Sequence, residues 1–360
     1  MKKLLLLLPV FVLLTNCIDE IDLTDGEPLP DGVVVTGRLN VEGDVADVEM
    51  RLERLFRFGE SNRPDRVVNA LVTLENSEGQ SLVLPFRDDA YRAEFPEADP
   101  DFRIEPGIGY RIRANIGEER YLTEFDVLPA ALQIGDITTR PGTVERETAA
   151  GTIEDAPAID YLIDAPLTYP DGQPTFIRYT AEQTFKVTDT PMIGPNRNNP
   201  PKPCYVTRAV DGDEVTVVSS LTTDATQLMN FPLAAQVIDS RFAEGNVLTA
   251  YQEMLTRAAF DYFDQIGSIA STDASIFEPP GGPVVGNASE VNGLTQNVFG
   301  FFYATNRSFV RVAVSPDEAG NPTPRCPMPP SMSPFPAPTS CDDCSTLNNS
   351  LIERPDWFPF

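Results

Sequence analysis

Four cysteines fall late in the chain, at Cys204, Cys326, Cys341 and Cys344, and a fifth, Cys17, lies near its start. An even number of cysteines in an oxidising compartment favours two disulfides, with three possible connectivities. Cys341-Asp342-Asp343-Cys344 is a C-x-x-C. Redox use of that motif wants a helix start beside a βαβ unit and a lowered thiol pKa. Here it follows the proline-rich "CPMPPSMSPFPAPTS", and two adjacent aspartates would raise a thiol pKa. Structural disulfides are therefore expected over redox catalysis or a four-cysteine zinc site. A bridge between Cys341 and Cys344 would close too short a loop to constrain much and would invite strain. Cys326 is expected to pair with one of them and Cys204 with the other.

The chain of 360 residues contains no histidine. That excludes Ser-His-Asp and Cys-His catalysis, HExxH peptidases and His-ligated metals. No G-x-G-x-x-G opens a helix, and no G-x-x-x-x-G-K-[ST] occurs, so nucleotide chemistry has no support. Paired-carboxylate chemistry needs only Asp and Glu, and 54 of them leave it open without pointing to a pair. Asp211, Asp213 and Glu214 do not match a calcium loop and are expected to form a β-turn. No catalytic residue, cofactor or metal is assigned. The formal net charge of −27 repels nucleic acid and disfavours anionic lipid surfaces.

Met1-Lys2-Lys3 and the apolar run Leu4 to Leu14 have the layout of a secretory signal peptide and are too short to span a bilayer. Leu14-Thr15-Asn16-Cys17 resembles the lipobox of bacterial lipoproteins, in which the cysteine becomes the lipidated first residue. Asn16 departs from the small residue usual there. The alternative is an ordinary secreted protein with a buried or bridged Cys17. Residues 1–16 are thus expected to be a signal peptide and 17–27 an acidic tether. The acidic residues Asp19, Glu20, Asp22 and Asp25 resemble a surface-export signal of Bacteroidota lipoproteins, or serve as a solvated linker.

The elements behind these residues read as mainly β. "DGVVVTGRLNV", "VEMRLERL", "VVNALVTLENSEGQSLVL" and "GYRIRANIGEERYLTEFDV" alternate at short spacing with Gly and Asn turns. They predict an Ig-like β-sandwich over residues 28–130. A larger β-rich domain is expected over 131–315. There "TFIRYTAEQTFKV" is a strand, "CYVTRAV" and "EVTVVSSL" flank a hairpin turn, and "NVFGFFYAT" is a strand. Leu248, Tyr251, Leu255, Ala258, Tyr262, Ile266 and Ile269 recur at helical spacing. They predict one long amphipathic helix over about 247–268, capped by Asn246 and packed inward on its stripe. Residues 316–360 form a proline-rich, cysteine-containing tail.

"VVVTGRL", "VVNALVTLEN", the helix region, "IFEPPGGPVVGNASEVNG", "VFGFFYAT" and "CDDCSTLNNSLIERPDWF" together, in this order, resemble a Bacteroidota lipoprotein family catalogued as domain of unknown function 4249. The resemblance covers nearly the whole mature chain. It implies an outer-membrane lipoprotein, at the cell-surface or periplasmic face, with a TonB-dependent transporter as partner. It brings no catalytic residues. The expected function is that of a non-catalytic accessory or binding protein held by its lipid. The rivals are a surface hydrolase using paired carboxylates and a structural or adhesion protein of the envelope. The Pro- and Gly-rich stretch from Phe277 through Asn287 to Asn292 is the candidate partner-contact loop, or a connector crossing the sheet.

Overall fold

The computed structural model describes residues 32–55, 65–96, 101–148, 151–191, 199–210, 216–223, 225–271, 284–293, 297–326 and 339–360. In the first part of the chain the strands are β1 (Gly32–Glu42), β2 (Val45–Arg54), β3 (Asp65–Arg66), β4 (Leu71–Asn76), β5 (Ser81–Leu84), β6 (Phe86–Arg87), β7 (Ala90–Pro96), β8 (Gly109–Ile116), β9 (Glu119–Thr123) and β10 (Asp126–Val127). The next strands are β11 (Asp136–Glu147), β12 (Ile153–Pro166), β13 (Phe176–Thr188), β14 (Pro203–Ala209), β15 (Thr216–Ser219), β16 (Gln227–Val237) and β17 (Asn246–Met254). A helix, Arg257–Ser271, precedes β18 (Ala288–Glu290), β19 (Asn297–Phe299), β20 (Phe302–Val314) and β21 (Ser350–Leu351).

The expected mainly β class holds, and the first strands fall where the alternation places them. Period-two patterning gives each strand an apolar face, and in β1 and β2 that face is Val33, Val35, Leu39, Ala46, Val48, Met50 and Leu52, all buried. It packs on Val72, Leu74, Ile112 and Tyr121 of a six-stranded sheet ordered β18-β9-β8-β4-β5, with β10 on β8. Asn76 closes the β4–β5 turn, its Oδ1 accepting from the Gln80 N–H at 2.9 Å.

The sandwich is continuous with the rest of the chain. β1 pairs antiparallel with β2 and parallel with β20. One twelve-stranded sheet therefore runs β21-β14-β13-β17-β20-β1-β2-β7-β6, with β15 on β13, β19 on β1 and β3 on β2, across the expected boundary at residue 130. A three-stranded sheet, β11-β12-β16, covers the same face of it further along, where Tyr161 and Ile163 meet Ile177, Leu248 and Ala250. The connecting segment is pinned beneath: the carbonyl of Leu132 accepts from Gln252 Nε2 at 3.0 Å, and that of Pro129 from Asn306 Nδ2 at 2.5 Å.

Three expectations are corrected. The long helix is absent: residues 246–254 are β17, between β13 and β20 in the large sheet, and the helix is the shorter Arg257–Ser271. Leu248 and Tyr251, aligned on a helical stripe, lie on opposite faces of a strand. Val247, Thr249 and Tyr251 suit a pleated surface, and flanking strands on both sides override the helical spacing. Asn246 is not a cap but is buried in β17, bonded to Gln183; Thr256 caps the helix, its Oγ1 accepting from the Ala259 N–H at 3.2 Å. Secondly, β14 and β15 do not pair with each other. Both lie antiparallel along β13, β15 at residues 176–179 and β14 at 182–188; the turn Asp211–Asp213 lies outside the described residues. Thirdly, "NVFGFFYAT" is broken at Gly300-Phe301 into β19 and β20.

The cysteines are joined as Cys204–Cys344 and Cys326–Cys341, with Cα atoms 5.9 and 5.4 Å apart. Each C-x-x-C cysteine has a distant partner, as the short-loop argument requires. Within residues 339–360, β21 adds to β14, and Phe358 is buried against Tyr205 and Val247.

Candidate functional site

The second face of the large sheet carries the helix and, beside it, a cleft of about 490 Å³. Alternation decides which side chains line it. Arg38 of β1 stands beside Tyr303 of β20, and Arg178 of β13 stands opposite Glu253 of β17. These strands are neighbours in the order β13-β17-β20-β1, so four residues from remote parts of the sequence meet on one face.

Glu253 is only 1 % exposed. Its Oε2 lies 2.7 Å from Arg178 Nε, out of line for a hydrogen bond, so the contact is Coulombic. Its Oε1 lies 3.6 Å from Arg38 Nη1. Arg178 Nη2 donates to the Tyr303 hydroxyl at 3.2 Å, and the Arg38 guanidinium acts on the same group electrostatically. Burial pushes the Tyr303 phenol up, and the Glu253 carboxylate adds to that, so it stays protonated.

The other wall is aromatic. The helix presents Tyr262, Phe263 and Ile266. Tyr262 stacks on Phe301 at 4.5 Å, Phe263 meets Tyr303 edge-on at 5.2 Å, and the Arg178 guanidinium lies 4.0 Å over the Phe263 ring. Phe301 reaches the cleft because the strand breaks before it. Gly300 has φ +96°, and a Cβ there would collide with the Val35 carbonyl oxygen. The Gly37 N–H then bonds the Phe301 carbonyl at 3.1 Å. At the rim, Glu49 lies 2.6 Å from Arg51 and 3.2 Å from Arg92.

The helix is fastened at its start by Asp126, whose Oδ1 accepts from Thr256 Oγ1 at 2.5 Å and whose Oδ2 accepts from the Ala304 N–H at 2.8 Å. Burial pushes this carboxyl up to about 6, against those two hydrogen bonds.

Of the residues singled out in the sequence, Asn287 is bonded to the backbone of β20. Its Nδ2 donates to the Phe302 carbonyl at 2.7 Å, and its Oδ1 accepts from the Phe302 N–H at 2.9 Å. Asn292 donates to the Glu118 carbonyl at 2.8 Å. Phe277 and Cys17 lie outside the described residues. None of the singled-out site residues that are described lines the cleft. The signal for those that do is a charge among apolar neighbours in a strand: Arg38 in "VVVTGRLN", Arg178 in "TFIRYTA" and Glu253 in "YQEM".

The chain matches the family described as Domain of unknown function (DUF4249) over residues 18–309 and belongs to it. No curated protein matches the chain.

Proposed function

We propose that the protein is a lipid-anchored outer-membrane binding protein, held by Cys17, that serves a TonB-dependent transporter as a non-catalytic accessory. The observation that carries the binding reading is the cleft, where Arg38, Arg178 and Tyr303 surround a buried Glu253 beneath a wall of aromatic rings. Side chains locked by charge pairing and ring contacts make a preformed recognition site, apolar in its walls with a few convergent polar groups. Location and partner rest on the lipobox and the family resemblance. A pull-down with the lipidated protein from detergent-solubilised outer membrane should recover a transporter, and deleting either gene should give the same uptake defect. Turnover of glycans or peptides by the purified protein, abolished by one Asp→Asn or Glu→Gln change, overturns this reading in favour of a carboxylate hydrolase. Mass spectrometry should find acyl chains on Cys17; an unmodified thiol there removes the anchor.

A further inference from the structure

We propose that the cleft binds a monocarboxylate carried on an aromatic ring. The inference rests on the cleft being a binding site and names what it takes. The polar groups at its floor are matched to an anion. The Tyr303 hydroxyl accepts from Arg178 Nη2, with the Arg38 guanidinium beside it on the neighbouring strand, so its own proton is left to donate. Each guanidinium carries five N–H donors, more than Glu253 and Tyr303 take up. Two arginines meet at the floor over one buried glutamate, and Asp47 adds its charge on the Arg38 side. A single carboxylate fits the planar fork of an arginine. Above the floor, Tyr262, Phe301 and Ile266 offer an apolar wall to a flat ring. A cavity of about 490 Å³ lies within the range of small-molecule sites.

Calorimetry on the whole protein with N-acetylphenylalanine, its neutral amide and acetate tests the inference. The acid should bind, with both the amide and acetate at least about 10-fold weaker, since one removes the charge and the other the ring. Tyr303→Phe keeps the ring and removes the donor, and should weaken the acid about 10-fold or more. Arg38→Gln, at a partly exposed position, should do the same and leave the amide unaffected. Equal binding of acid and amide, equal binding of acid and acetate, or no binding of the acid at millimolar concentration overturns the proposal. Recovery of the transporter in the pull-down alongside any of those results leaves the accessory reading standing and removes only the ligand class.

Discussion

Arg178 and Glu253 face each other across β13 and β17, with Nε and Oε2 2.7 Å apart and the glutamate sealed from solvent. A charge so buried persists only while it is compensated. Removing the carboxylate strands two guanidiniums, one of them only 15 % exposed. Glu253→Ala should cost about 3 kcal/mol in urea unfolding. A cost below about 1 kcal/mol would mean that water reaches the pair.

Asp126 makes stability depend on pH. A carboxyl pushed up to about 6 from an ordinary 3.8 binds its proton more tightly in the folded than in the unfolded chain. Its contribution to folding is therefore full below about pH 3.8 and is lost as the pH rises through about 6. The swing for this one group is on the order of 3 kcal/mol. Asp126→Asn can still accept from the Ala304 N–H and meet the Thr256 hydroxyl, and it cannot ionise. Comparing the two proteins by denaturation from pH 4 to 8, the difference should turn in favour of the asparagine variant as pH rises. Parallel profiles would show that the carboxylate is solvated.

The two disulfides should differ in weight. Cys204–Cys344 spans 140 residues and Cys326–Cys341 only 15. Constraint of the unfolded chain gives about 5 kcal/mol for the long loop and about 3 for the short one. Paired Cys→Ser variants at 204 and 344 should therefore unfold at lower denaturant than those at 326 and 341. The reverse order would mean that packing of Phe358 and β21 holds the C-terminal segment without its bridge.

What the sequence makes legible depends on how local the signal is. Val33, Val35, Leu39 and the Asn76 turn are fixed by alternation and turn chemistry within a few residues, so β1, β2, β4 and β5 are readable. The short-loop argument excludes a Cys341–Cys344 bridge and leaves two connectivities, between which only the fold chooses. β17 reads falsely as helix because Leu248, Tyr251 and Leu255 satisfy helical spacing, while the neighbours β13 and β20 that hold it as a strand are remote in sequence. The cleft is invisible for the same reason. Arg38, Arg178 and Glu253 converge only through the strand order β13-β17-β20-β1, which no local pattern encodes.

Asn287 separates a clamp from a contact residue. Its amide mimics a strand partner for Phe302, donating to the carbonyl and accepting from the N–H of a fully buried residue. Asn287→Ala leaves both backbone groups without that partner and should cost about 2 kcal/mol. Asn292, exposed and making one bond to the Glu118 carbonyl, should cost well under about 1 kcal/mol when changed to Ala. The melting temperature of each variant, with recovery of the transporter from solubilised membrane, distinguishes the roles. A clamp lowers the melting temperature and spares partner capture below it. If Asn287→Ala melts like the parent protein and loses the transporter, residues 284–293 are the docking loop instead.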